Sequence, residues 1–274
     1  MFNLIRIKLK LNQNLTGVLS TPKITMKYLF TILFLLPFSL LFAQSEVFTT
    51  KKGNLEITPV FHAALVMQWN GVTVYADPYG GAERYKSMKA PDLIVITHEH
   101  GDHLDEATLA GLDLTKTELI APQKVVDQLK NKTFAKITVL GNGQNAIYKN
   151  IKIEAVGMYN IPEETARHKK GVGNGYVLTF GGKRVYISGD TDGTPDMRSL
   201  KNIDVAFVCM NPPYTMDVAP AADAVLAFKP AVVYPYHYRQ PGNKFSDIEQ
   251  FKKLVNDQNP KIDVRLRNWY TQVQ

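Results

Sequence analysis

The sequence predicts an α/β protein in which two mixed β-sheets pack face to face and helices cover their outer faces. Three observations carry this. Apolar segments of strand length recur from Leu55 to Tyr236. Helical patterns lie between the later ones, while the first few follow one another closely enough to form hairpins. A short pattern also occurs twice, which predicts two related halves. Sheets and helices with one apolar face must cover it against another layer, and an αββα sandwich does this.

Residues 1–43 are set apart from the fold. Residues 28–43 form an uncharged apolar run, preceded by Lys27 and followed by Gln44-Ser45-Glu46. The run is shorter than the roughly 20 residues a membrane span needs. A charged start, a short apolar core and a small residue before a polar stretch predict a secretory signal peptide cut after Ala43. An uncleaved membrane anchor is the alternative. Translation from Met26 would give the tidier signal, leaving residues 1–25 as a basic extension. With cleavage the mature chain is periplasmic or secreted, has no stable membrane span, and forms a single domain over residues 44–274.

The leader also carries most of the charge. Arg6, Lys8, Lys10, Lys23 and Lys27 are its only charged side chains, so a net charge of +7 falls to +2 without it. No basic patch remains that would argue for nucleic-acid binding. The one cysteine, Cys209, excludes an intramolecular disulfide and follows an apolar run, which predicts a packing role.

Strands are predicted at 55–60, 63–69, 72–76, 93–96, 119–121, 151–156, 176–180, 184–187, 205–208 and 232–236. Helices are predicted at 106–112, 124–129, 220–228 and 247–255, the last with Ile248, Phe251, Leu254 and Val255 on one face. The repeated pattern is a strand ending in Asp, a crossover, then a buried strand ending in a polar loop. Val74-Tyr75-Ala76-Asp77 leads to Asp92-Leu93-Ile94-Val95-Ile96. Val185-Tyr186-Ile187-Ser188-Gly189-Asp190 leads to Asp204-Val205-Ala206-Phe207-Val208. This alignment makes Asp190 the counterpart of Asp77.

The chemistry concentrates in Thr97-His98-Glu99-His100-Gly101-Asp102-His103, directly after a buried strand. In extended chain, residues two apart point the same way, so His98 and His100 can grip one cation. Asp102 and His103, where the loop bends toward a helix, can reach a second. Imidazole suits first-row ions and a carboxylate adds a harder donor. Five more positions stand at strand ends or polar loops: Asp77, Asp190, His237, His168 and His62. A following proline holds Asp77 extended, and Gly189 permits close approach of backbone at Asp190. His62 reads equally as a site residue or as a satisfied histidine near the core. The cations around His168 read equally as a solvated rim.

In this order, Asp77, His98-x-His100-x-Asp102-His103, His168, Asp190 and His237 resemble the metallo-β-lactamase-fold superfamily of metal-dependent hydrolases, over nearly all of residues 54–240. His62 and the stretch from Gly173 to Thr191 are similar to the branch that contains ascorbate-6-phosphate lactonase and N-acyl-phosphatidylethanolamine phospholipase D. The resemblance implies that His98, His100 and His168 hold one divalent ion. Asp102, His103 and His237 would hold another, Asp190 would bridge them, and Asp77 would brace the histidine loop. The ions are expected to be zinc, with manganese or iron tolerated.

By the same resemblance the protein is a hydrolase that uses a metal-bridging hydroxide on a small ester, lactone or phosphodiester. Asp102, Asp190 and His62 are the expected catalytic side chains, and Tyr214 or Tyr238 is a further candidate for the leaving-group acid. An acidic bridge at Asp190 points away from true β-lactamases, which usually lack it. A small-molecule substrate and no nucleic acid are expected as partners. The alternative is a non-catalytic metal- or ligand-binding module that keeps the fold. No Gly-Xaa-Ser-Xaa-Gly elbow and no H-E-x-x-H motif is present to support a serine-hydrolase or zincin reading.

Overall fold

A computed structural model describes residues 45–130 and 133–270. The leader expected at 1–43 lies outside the described residues. The first sheet takes Glu46–Thr50 (β1), Gly53–Phe61 (β2), Ala64–Trp69 (β3), Val72–Ala76 (β4), Leu93–Val95 (β5), Glu118–Ala121 (β6) and Lys136–Val139 (β7), in that spatial order. Pairing is antiparallel from β1 to β4 and parallel from β4 to β7. The parallel steps are crossovers that carry Glu106–Ala110 (α1) and Gln123–Gln128 (α2).

Both faces of this sheet are buried, and the period of two sorts its side chains. Leu65, Met67, Val74, Ala76, Leu93 and Val95 point into the main core, while Val66, Tyr75, Ile94 and Ile96 join Leu109 of α1 and Val125 of α2 in a second cluster. That is why these strands read as continuous apolar runs.

The second sheet repeats the plan. Its strands are Asn145–Tyr148 (β8), Ile151–Met158 (β9), Gly173–Phe180 (β10), Lys183–Ile187 (β11), Val205–Cys209 (β12), Val232–Tyr236 (β13) and, after the short ribbon Arg239–Gln240 (β14) with Lys244–Phe245 (β15), Asp263–Val264 (β16). The order is β16-β13-β12-β11-β10-β9-β8, antiparallel from β8 to β11 and parallel from β11 onward. Pro195–Arg198 (α3), Val218–Phe228 (α4) and Ile248–Gln258 (α5) complete the helices. Buried Ala221, Val225 and Phe228 of α4, with Phe251 and Val255 of α5, pack into the same core as the strands. The expected αββα sandwich is the observed architecture.

The two halves match bond for bond, and the match corrects the sequence alignment. Thr73 N donates to Asp92 Oδ2 at 2.8 Å, and Arg184 N donates to Asp204 Oδ2 at 2.8 Å. Val74 pairs with Leu93 and Val185 with Val205. Three residues after Val74 and Val185, Asp77 N donates to Val95 O and Ser188 N donates to Phe207 O. The counterpart of Asp77 is therefore Ser188, and Asp190 stands two residues beyond it. Ending both patterns on their aspartates had hidden the two extra residues, Ser188 and Gly189.

Candidate metal centre

Loops at the strand ends bring all six histidines of the chain together. His62 follows β2, the cluster from His98 to His103 follows β5, His168 lies in the β9–β10 loop, and His237 follows β13. Three of these positions hold unusual backbone: His62, Asp77 and His237 have φ of 61°, 44° and 46°. A left-handed conformation in residues with a Cβ costs about 1–3 kcal/mol each, and such strain gathers where geometry serves function. Gly189, at φ 60°, is a different case. A Cβ there would lie 2.6 Å from Met158 Sδ and 3.1 Å from the Thr97 Cβ. Its bare backbone lets the Asp190 loop press against the strand end that carries the histidines.

The hydrogen bonds fix which ring nitrogens face inward. Asp77 Oδ1 accepts from Thr97 N at 2.8 Å, and its Oδ2 accepts from Thr97 Oγ1 at 2.7 Å and from His103 Nδ1 at 2.8 Å. Having given its proton to Asp77, the Thr97 hydroxyl accepts from His98 Nδ1 at 3.0 Å. Asn160 Oδ1 accepts from His168 Nδ1 at 3.0 Å. His98, His103 and His168 are thus held with Nδ1 protonated and with the Nε2 lone pair turned to the cluster.

Those lone pairs converge. His98 Nε2 lies 3.1 Å from His100 Nδ1, which lies 3.2 Å from His168 Nε2. His103 Nε2 lies 3.1 Å from His237 Nε2. Asp190 spans the two sets: Oδ1 is 3.4 Å from His103 Nε2 and 3.3 Å from His237 Nε2, while Oδ2 is 3.6 Å from His168 Nε2. Asp102 Oδ2 stands 3.4 Å from His237 Nε2 and 3.0 Å from His62 Nε2. Donor atoms within 4.8 Å of one another form three groups: His98, His100 and His168; His62, Asp102 and His237; and His98, His103 and Asp190. The first is the set implied for one ion. In the second, His62 stands where the resemblance gave His103, and His103 groups instead with Asp190.

The residues fit bound cations. Asp190 Oδ1 is buried without a hydrogen-bond donor among the described residues, a lone pair that a native interior rarely leaves idle. Burial alone would raise the Asp190 carboxyl, yet His237 and His103 hold it well below the usual carboxylate range. Burial would likewise lower His103, but Asp190, Asp77 and Asp102 together hold it well above the usual imidazole range. Three carboxylates thus call for positive charge at this one point. Burial holds His98, His100, His168 and His62 below the usual imidazole range, ready as neutral ligands. Burial pushes His168 down to about 4, and burial with His237 close by pushes His62 down to about 3.

The centre opens into a cavity of about 280 Å³ bordered by His100, Asp102, Asp190 and His237 together with Tyr79, Arg167, Asn211, Tyr214 and Arg239. Tyr214 is therefore at the site, but Tyr238 is not: it is buried, and its hydroxyl donates to Arg267 O at 3.0 Å. Arg167 is exposed and borders the cavity, more than a solvated rim. Sequence reasoning missed Tyr270, whose hydroxyl accepts from Arg239 N at 3.0 Å and meets His62 Nδ1 at 3.2 Å. Its buried neighbour Trp269 packs on Phe207 and Tyr236 and anchors the segment there. A larger cavity of about 630 Å³, bordered by Arg184, Asp204 and Lys229, holds no histidine.

The profile described as "Beta-lactamase superfamily domain" matches residues 56–237, the span that holds every side chain of the centre except Tyr270 and Arg239. The chain belongs to the metallo-β-lactamase superfamily. Within that superfamily it is 30% identical to the UPF0173 metal-dependent hydrolase of Aeropyrum pernix, a similarity covering 77% of this chain and 93% of that one. A crystal structure from Parabacteroides distasonis, assigned as a metal-dependent hydrolase, shares 38% identity with a TM-score of 0.73, over 84% of this chain and 100% of its own. Igni18, a metallo hydrolase from Ignicoccus hospitalis, shares 26% identity with a TM-score of 0.67, over 80% of this chain and 97% of its own.

Proposed function

We propose that this chain is a dinuclear metal-dependent hydrolase acting on a small ester, lactone or phosphodiester. One observation carries the reading: every histidine in the sequence falls in a single centre, interlocked with Asp102 and Asp190. Relatives named metal-dependent hydrolases support it.

His98, His100 and His168 would hold one ion, and His103, His237 and Asp102 the other, with one oxygen of Asp190 facing each set. Two such ions, with zinc the expected metal and manganese or iron tolerated, supply Lewis acidity and activate water near neutral pH. The chain's own residues do the rest. Asp77, Thr97 and Asn160 fix three imidazoles in the ligating tautomer. Tyr270 hydroxyl donates to His62 Nδ1, which leaves the His62 Nε2 proton for Asp102 and orients that carboxylate at the cavity wall. Tyr214 borders the cavity, which supports it as the acid that would protonate a leaving group.

Export through the leader at 1–43 belongs to the same proposal, and mass spectrometry of the mature N-terminus in the extracytoplasmic fraction tests it. Elemental analysis of protein purified without added metal tests the centre. About two first-row ions per chain are expected, and the double change His98→Ala with His100→Ala should lose them. A panel of esters, lactones and phosphodiesters with zinc, manganese and iron tests turnover. Silence across that panel with metal bound would favour a non-catalytic binding module.

A further inference from the structure

We propose that the cavity beside the metal centre selects a small anionic substrate, whose phosphoryl or carboxylate group is held by Arg167 and Arg239. This rests on the reading of the centre as hydrolytic and names the substrate class it would take. Both arginines border the same cavity as His100, Asp102, Asp190 and His237.

Each guanidinium is parked on aromatic rings. Arg167 lies 4.6 Å from the Tyr214 ring, and Arg239 lies 5.1 Å from Tyr270 and 5.7 Å from Phe61. A ring face steadies a guanidinium without using its N–H fork. The contrast with four other arginines is informative. Arg184, Arg198, Arg265 and Arg267 each meet a carboxylate. Among the described residues, Arg167 and Arg239 meet none. The two carboxylates at the cavity are already engaged, Asp102 by His62 and His237, and Asp190 by His103, His168 and His237. Two guanidinium groups with no carboxylate partner among the described residues therefore border one space, and a guanidinium can take a phosphoryl or carboxylate group bidentately.

Position within the chain gives the pair a division of ends. Arg167 directly precedes His168 of one ligand set, and Arg239 lies two residues after His237 of the other. An anion between them would have its neighbouring bond presented across the centre. A space of about 280 Å³ lies at the small end for ligand pockets, so the occupant is a small metabolite-sized anion. Cations lining such a cleft also raise the local concentration of anions and exclude cationic compounds.

Calorimetric titration tests this without knowledge of the natural substrate. Zinc-loaded protein would be titrated with inorganic phosphate and, separately, with succinate, at low ionic strength. The same titrations would follow for Arg167→Gln, Arg239→Gln and the double variant, with zinc content measured in each. Wild type should bind at least one anion. Each single variant should weaken binding roughly tenfold, the scale of one charge-assisted hydrogen-bonding group, and the double variant more, with zinc retained. Arg239→Lys packs on the same rings and keeps a point charge without the fork, so it should fall between. Phosphate binding alone marks a phosphoryl-bearing substrate, and succinate binding alone a carboxylate. Equal affinity in wild type and double variant, or binding of neither anion, overturns the proposal. Absence of zinc from every preparation, with anion binding still arginine-dependent, would instead sink the metal reading and leave the anion subsite standing.

Discussion

Asp77 and His103 are joined by a 2.8 Å hydrogen bond, and solvent reaches neither side chain. The same carboxylate receives the backbone N–H and the hydroxyl of Thr97, so one aspartate sets the strand end, the His98 tautomer and the His103 tautomer together. Replacing Asp77 with Ala should lower metal affinity or activity by roughly 10–100-fold, the usual effect of losing a group that orients a ligand. Metal content after dialysis against a weak chelator measures it. Full retention of both ions would show that the histidine loop holds its geometry unaided.

Asp190 should behave differently. Its two oxygens face different histidine sets, so Asp190→Ala removes the one carboxylate that, among the described residues, faces both. Turnover should be abolished and at least one ion lost. Asp190→Asn keeps the size without the charge and should fail as well. Elemental analysis of the two variants beside Asp77→Ala separates a bridging role from a bracing one. Near-normal turnover with two ions in Asp190→Ala would overturn the bridging assignment.

Gly189→Ala tests how closely the loop must approach. The new Cβ would meet Met158 and Thr97 from a backbone at φ 60°. Left-handed strain alone costs about 1–2 kcal/mol for an L-residue. A lowered melting temperature with weakened metal binding is expected, because Asp190 is the next residue. A variant with unchanged metal affinity would mean that Met158 yields and Asp190 does not move.

Tyr270→Phe removes one hydroxyl from the chain of contacts Tyr270–His62–Asp102. Without its partner His62 is free to exchange tautomers, and its hold on Asp102 loosens. Turnover should fall by about tenfold or less, in keeping with one neutral hydrogen bond, with metal content intact. An effect on metal content as large as that of His98→Ala would place His62 among the ligands.

Removing metal should cost stability. Chelation leaves His103 Nε2 and His237 Nε2, 3.1 Å apart, with no metal ion to hold them together. Zinc binds the folded chain only if the centre is built as described, and at 100 times its dissociation constant it adds about 2.7 kcal/mol per site. Thermal melts with chelator and with graded zinc measure the shift. A melting temperature indifferent to both would exclude a metal centre.

Much of this was legible in the sequence because burial on both faces writes long apolar runs, as in β4 and β5. The edge strands were not. β1, β7 and β8 are only partly buried, with alternating or mostly exposed side chains, so no continuous apolar run marks them. The four-residue helix α3 is too short for a periodic signal. At the site, strand-end histidines and aspartates announced themselves by type and position. Tyr270 did not, since it reaches His62 across 208 residues of chain, and nothing local marks such a contact. Tyr238 misled for a related reason: it follows His237 directly, but its hydroxyl turns to Arg267.

The matched hydrogen bonds of the two halves bear on why their strand-end loops differ. Cys209 N donates to Ser188 Oγ at 3.2 Å just as Thr97 N donates to Asp77 Oδ1, so Met210 and Asn211 occupy the places of His98 and Glu99. A second aspartate at 188 would set another buried anion beside Asp190, so a neutral hydroxyl there keeps the brace and spares the repulsion. The loop after β5 is thus held by a carboxylate and the loop after β12 by a hydroxyl, and the second half reaches the centre through Asp190 and His237 instead.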